Sequence, residues 1–262
     1  MANHNQQTYW VTGASSGIGK ALCCQLAEQG HHLVISSRST EALNELAELY
    51  PNLMTVLACD ISDRESMRRI FSDNLPHLEA LDGIFLCAGI CEYIDLPEFN
   101  LDAFYQAIAV NYLGTVNSCA AAVPLLEKRG LKGCDKKPFI VGLCSMSSYI
   151  GFPRAEAYGA SKAAMAYFLD SLRADIGDRV DVITSYLGFV KTPMTAANDF
   201  PMPFIVSDQQ AAADILAKLP KRPLRMVFPR RLHISLTLLS MMQRLWYKNI
   251  VPRLRRKPGV VG

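Results

Sequence analysis

Three side chains at a set spacing could carry proton chemistry: Ser145, then Tyr158 thirteen positions later, then Lys162 four further on. On a helix, residues four apart lie on one face, one turn from each other. A phenol titrates near ~10 in water, too high for acid–base work at neutral pH. A neighbouring ammonium favours the phenolate and lowers that value. A serine hydroxyl beside the pair can donate to an oxygen on which charge develops. Tyr-x-x-x-Lys alone is common in helices, so the setting matters. The strand-like run Phe139-Ile-Val-Gly-Leu-Cys144 delivers Ser145, and Gly159, Ala160 and Ser161 keep the space between Tyr158 and Lys162 small.

A second constellation lies near the N-terminus. Tyr9-Trp-Val-Thr12 reads as a buried strand, and Gly13, Gly17 and Gly19 punctuate the loop that follows. The loop runs into a helical pattern, Ala21–Glu28. Glycine permits positive φ in a tight turn, and its missing Cβ lets a phosphate approach the backbone. The helix behind offers unpaired N–H groups and the positive end of its dipole. Gly13 to Gly19, with Ser15, Ser16 and Ile18 among them, is therefore a candidate phosphate cradle in the context a dinucleotide site requires.

These residues need a scaffold. Strand-like runs near 8–13, 32–36, 53–58, 82–87, 138–144, 180–187 and 225–228 alternate with helical patterns near 18–29, 40–49, 63–74, 101–128 and 156–176. Such alternation predicts a parallel sheet covered on both faces. Ser62-Asp-Arg-Glu65 and Ser207-Asp-Gln-Gln210 fit the capping-box pattern and mark helix starts. The expected fold is α/β, a doubly wound Rossmann-type parallel sheet in three αβα layers. Ligands are expected at the carboxyl ends of its strands. Residues 1–230 form the expected catalytic domain, and 231–262 an apolar helix with a basic tail.

The spacing Gly-x-x-x-Gly-x-Gly in TGASSGIG, followed by Ser145…Tyr158…Lys162, resembles the short-chain dehydrogenase/reductase family over residues 8–230. The resemblance implies an oxidoreductase that moves hydride between NADP(H) and a carbonyl or secondary alcohol. Asn111, in Val110-Asn-Tyr-Leu-Gly114, matches the family's active-site Asn, where the helix opens and a relay water is held. In the family an Asp such as Asp60 contacts adenine, with Ile61 lining the site. Ala88 and Gly89 match the segment that passes the cofactor ribose, whereas Leu86 and Cys87 replace the usual asparagines. Gly188 would let the nicotinamide approach, and Val190 and Thr192 match the positions that bond its carboxamide. Leu187 stands where a proline is usual.

Strand 32–36 ends in Ser37-Arg38, with no acid to accept from a ribose 2′-hydroxyl. Arg38 can pair with a 2′-phosphate through its planar fork, so NADP(H) is preferred over NAD(H). The apolar segment 193–206 falls where the family has a flap over its substrate, and suits an apolar, lipid-like one. A cofactor-binding scaffold or redox sensor without turnover is the alternative, and the presence of all four tetrad residues separates the two.

Eight cysteines show no Cys-x-x-Cys pair, and no secretory signal precedes the first strand. Free thiols in a reducing cytoplasm are expected, without a metal site. Expected partners are the small-molecule substrate and further copies of the chain, not nucleic acid. The net charge of +3 hides an asymmetry. Residues 215–262 hold 12 Lys/Arg and no acid, leaving a body with a net of −9. Only twelve residues separate Arg231 from Arg244, too few to span a bilayer, which takes ~20. Leu238, Met241, Met242 and Leu245 recur at helical spacing as a prospective buried face, with Trp246, Tyr247 and a basic tail following. Peripheral contact with an anionic membrane, packing on a twin subunit and packing on the chain's own body all stay open.

Overall fold

The structure is a computed structural model that describes residues 6–131, 136–196 and 198–255. Seven parallel strands form one sheet in the order β3-β2-β1-β4-β5-β6-β9. They are β1 (Thr8–Thr12), β2 (His32–Ser36), β3 (Met54–Val56), β4 (Gly83–Leu86), β5 (Phe139–Ser145), β6 (Asp181–Leu187) and β9 (Arg225–Phe228). Two short strands, β7 (Val190–Lys191) and β8 (Val206–Ser207), pair in parallel apart from it, with the short helix α8 (Pro193–Ala196) between them in the chain.

Side chains alternate across a strand, and the core divides accordingly. Tyr9, Val11, Ile35, Phe85 and Val141 face α1 (Gly17–Glu28), α2 (Thr40–Glu48) and α9 (Asp208–Lys218). Trp10, Val34, Ile84, Leu86 and Ile140 face the opposite layer. That layer holds α3 (Arg64–Arg68), α4 (Ile70–Asn74), α6 (Gly114–Leu131) and α7 (Glu156–Ile176). The result is the doubly wound three-layer arrangement.

Three local readings are corrected. The first capping site is Asp63, whose carboxylate accepts from the N–H groups of Glu65 and Ser66, because Ser62 is already bonded to Asp60. The helix expected over 63–74 breaks at Arg69 into α3 and α4. The long stretch after residue 101 is α5 (Leu101–Ala107), a wide π-turn (Ile108–Leu113) and α6. By length and composition Leu101–Gly130 could cross a membrane, but Cys119, Ala122, Leu125 and Leu126 bury its α6 part in the core. Ser207 caps α9 as expected, accepting from Gln210 N–H at 3.1 Å.

The C-terminal segment comprises α10 (Arg230–Met241), α11 (Gln243–Leu245), a π-turn (Trp246–Ile250) and α12 (Val251–Leu254). Leu236, Trp246 and Val251 join the core on the α7 side. The indole N–H of Trp246 donates to Gly151 O at 2.9 Å. The expected buried face is overturned: Leu238, Met241, Met242 and Leu245 are all exposed. The helix is instead rotated so that Leu232, Leu236 and Leu239 meet the body. Arg256 and Lys257 of the expected basic tail lie outside the described residues.

Candidate active site

The carboxyl ends of the strands enclose a cavity of about 400 Å³. It is lined by Gly13, Ser15, Ser16, Gly17, Ile18 and Gly19, by Ser37 and Arg38, by Asp60 and Ile61, and by Ala88 and Gly89. Ser145, Tyr158 and Lys162 line its other end, with Gly188, Val190 and Thr192. Asn111 alone of the candidate residues does not line it. It lies behind Gly89, where an added Cβ would come within 3.0 Å of Asn111 Oδ1.

The glycine loop is shaped by contact with the backbone. Gly13 has φ +68°, and a Cβ there would stand 2.7 Å from the Ala88 backbone. A Cβ on Gly19 would collide with Gly13 O at 2.3 Å. Thr12, fully buried in β1, fastens this loop to the end of β4. Its Oγ1 accepts from Cys87 N–H at 3.1 Å and from Ala88 N–H at 3.3 Å. At the start of α1, Ser16 makes no side-chain capping bond, so the first-turn N–H groups stay available to an anion.

Along β2, Ser37 Oγ accepts from Ser39 N–H at 3.2 Å, and Ser39 caps α2. Arg38 is exposed on the cavity rim and forms no ion pair among the described residues. Asp60 is the carboxylate on the lining, and it is held by Ser62 N–H and Oγ–H at 2.8 and 2.6 Å. A glycine cradle and an uncapped helix start fit a dinucleotide.

Asn111 sits in the π-turn, fully buried. Its Oδ1 accepts from Ile90 N–H at 2.8 Å, and its Nδ2 donates to Ile90 O and to Ser161 Oγ, both at 2.9 Å. Ser161 Oγ donates onward to Tyr158 O at 2.8 Å. The amide therefore ties the segment after β4 to α7. The extra residue of the π-turn leaves the backbone locally open, but the side chain is fully engaged with protein.

Burial pushes the Tyr158 phenol up, while a hydrogen bond from the Ser145 hydroxyl pulls it down. Lys162 is itself buried, and burial lowers its pKa. Its Nζ donates to Leu143 O at 2.9 Å and contacts Met165 Sδ at 3.7 Å. Lys162 is thus anchored on β5 while it still lines the cavity, beside Gly89. Ser145 Oγ also accepts from Ser147 N–H and Ser147 Oγ–H at 3.1 and 3.0 Å, which fixes its direction.

Gly188 lines the cavity, but the atoms a Cβ would strike there are Leu232 Cδ2 at 2.8 Å and Pro229 Cδ at 3.0 Å. The glycine therefore admits the C-terminal segment, an aspect not visible from its neighbours in sequence. Thr195 was also missed. It lines the cavity, donates to Val190 O at 2.7 Å and accepts from Thr192 N–H at 3.0 Å. Beyond the cavity, Phe200 packs edge-on against Tyr93 and Phe189. Tyr93 Oη donates to Asn198 at 2.8 Å, and Arg154 pairs with Asp95 and Asp199, both at 2.7 Å. These contacts pin the apolar flap to the loop after β4.

A family model described as short chain dehydrogenase matches residues 7–200. An 11-beta-hydroxysteroid dehydrogenase 1A of Arabidopsis thaliana is 32% identical over 198 residues, covering 72% of this chain and 54% of the relative. The chain thus spans about half the length of that relative. An uncharacterized oxidoreductase of Myxococcus xanthus is 29% identical over 215 residues, covering 80% and 83%. Among solved structures, a short chain dehydrogenase from Burkholderia cenocepacia in complex with NADP superimposes with TM-score 0.80, at 24% identity over 94% of this chain and 98% of that one. One from Streptomyces avermitilis gives 0.78 at 22% identity, over 95% and 98%. At these identities the structural likeness speaks to the fold.

Proposed function

The chain belongs to the short-chain dehydrogenase/reductase family, and from that premise we propose that it transfers hydride between NADP(H) and a carbonyl or secondary alcohol on an apolar, lipid-like substrate. One observation carries the reading: Ser145, Tyr158 and Lys162 share a single cavity with the glycine loop and Arg38.

When bound, the nicotinamide supplies or accepts the hydride. Tyr158 gives a proton to the substrate oxygen in reduction and takes it back in oxidation. Ser145 donates to that oxygen and orients it as charge develops. Lys162, whose Nζ donates to Leu143 O, would hold the nicotinamide ribose and favour the phenolate of Tyr158. Asn111 keeps the segment after β4 and α7 in register, and the opened π-turn beside it supports the proton relay. Gly188, Val190 and Thr192 would hold the nicotinamide end, and Asp60 and Ile61 the adenine end. Gly13 to Gly19, with Ser15, Ser16 and Ile18, would hold the phosphates.

Arg38 supports NADP(H), since its guanidinium has no acid partner among the described residues and no carboxylate ends β2. The NADP complex of the Burkholderia relative and the steroid named for the Arabidopsis one support the same direction. The exposed Met194, Phe204 and Ile205 of the flap support an apolar substrate. Exposed Tyr105, Leu113 and Tyr167 on the helices of the α7 layer support assembly with further copies of the chain. A cytoplasmic site of action completes the reading.

The test is initial-rate turnover of NADPH and NADH against a panel of apolar ketones, aldehydes and secondary alcohols. Turnover of NADPH with at least one member, and a weaker rate with NADH, is expected. NADPH binding with no turnover across the panel would favour the scaffold alternative.

A further inference from the structure

The C-terminal segment carries apolar side chains on two faces. Leu232, Leu236 and Leu239 turn inward. On the outward face of α10, Ile234, Leu238 and Met241 are 58, 55 and 79% exposed, at helical spacing. Met242, Leu245, Tyr247 and Leu254 continue this apolar surface beyond the helix, all exposed. A lone exposed leucine needs no explanation, but a run of this size does. The run is interleaved with exposed cations: Arg230, Arg231, Arg244, Lys248, Arg253 and Arg255. None of the six forms an ion pair among the described residues, and no acid occurs anywhere from residue 215 onward.

We propose that this face docks on the surface of an anionic membrane. An apolar stripe flanked by cations is what an interfacial helix presents to headgroups and acyl chains. Charge complementarity selects this occupant. A second copy seated by a two-fold contact would set the six cations against their own kind. α10 has twelve residues, so at ~1.5 Å per residue it lies along an interface and does not cross it.

The face is welded to the rim of the cavity. Leu232 fills the space left by Gly188, His233 packs against Tyr149 with ring centroids 5.5 Å apart, and Trp246 bonds Gly151. Docking would therefore set the cavity mouth beside the lipid, where an apolar substrate is concentrated. That consequence rests on the hydride-transfer reading. The docking itself does not, so the two can fail separately.

The experiment is sedimentation of the full chain with vesicles of phosphatidylcholine alone, and of phosphatidylcholine mixed with phosphatidylglycerol, at low and high salt. Pelleting with the anionic vesicles at low salt, and release by high salt, is expected. Each cation near the surface is worth about fivefold in partition, so Arg244→Glu/Lys248→Glu/Arg253→Glu should weaken it at least a hundredfold, roughly. Leu238→Ser/Met241→Ser should weaken it about tenfold per side chain. Both variants should keep the wild-type melting temperature, because every altered side chain is exposed. Protein that stays in the supernatant with anionic vesicles at low salt overturns the proposal. So does a wild-type dimer that Leu238→Ser/Met241→Ser splits into monomers without any vesicle binding, which would make the face a subunit contact.

Discussion

Replacing Asn111 with Ala removes three hydrogen bonds at once. Ile90 N–H loses its acceptor at 2.8 Å, Ile90 O loses its donor at 2.9 Å, and Ser161 Oγ loses the amide at 2.9 Å. The side chain is completely buried, so the gap is closed to easy repair by bulk water. A buried polar group left unpaired costs about 1–3 kcal/mol. Ile90 is only partly buried, so water recovers some of the loss there, and the total should be about 2–5 kcal/mol. For a chain of 262 residues each kcal/mol lowers Tm by about 2 °C, so a fall of about 4–10 °C is expected. Ser161→Ala breaks one of the three bonds and should cost about 1 kcal/mol. In a double-mutant cycle the two substitutions should couple, because they share that bond. The assay is urea unfolding followed by circular dichroism, with NADPH affinity measured on the same samples. If Asn111→Ala unfolds within about 0.5 kcal/mol of the wild type, the tie between β4 and α7 is not structural and the reasoning fails.

Arg38→Asp should weaken NADPH binding about tenfold to a hundredfold, the worth of a charge-assisted bond, while strengthening NADH binding. Fluorescence titration checks it, and an unchanged ratio of the two affinities would remove Arg38 from the cofactor site. Burial pushes the Cys119 and Cys144 thiols up to about 12 from 9.0, so the folded chain holds protons that the unfolded chain releases between those values. Their contribution is therefore complete below pH 9.0 and is lost as pH rises toward about 12. Two thiols together should cost about 3 kcal/mol between pH 8 and pH 10, while the lowered Lys162 acts in the opposite direction. Urea midpoints under reducing conditions report it, and a midpoint that rises over this interval would show the sign to be wrong.

The sheet was legible because its physics is local. Each strand is a short apolar run, and the register follows from parallel pairing with faces buried on both sides. The 156–176 helix was read to the residue. The glycine loop was legible for a related reason: positive φ at Gly13 and the clash a Cβ would make leave few other residues for the turn. What escaped depends on long-range contact. The π-turn around Asn111 has no signature in helical periodicity, since one extra residue per turn is settled by the bonds to Ile90 and Ser161. The break at Arg69 falls between Met67 and Ile70, whose apolar spacing is that of one continuous helix. On α10, leucine and methionine occupy both faces, so periodicity alone could not say which one packs, and the expected face proved to be the exposed one. The role of Gly188 in admitting Leu232 required two segments that lie 44 residues apart. The spacing placed Lys162 one turn from Tyr158, whereas its bond to Leu143 O depends on a strand brought in from elsewhere in the fold.

The central claim is that Tyr158 moves the proton in a hydride transfer carried by this cavity. Tyr158→Phe keeps the ring and deletes only the hydroxyl, so packing and cofactor contacts should persist. The measurement is turnover of NADPH with the best carbonyl substrate, beside NADPH affinity of the same variant. Turnover should fall by about a hundredfold or more with affinity within about threefold of wild type. Wild-type turnover in Tyr158→Phe, with affinity unchanged, would contradict the account.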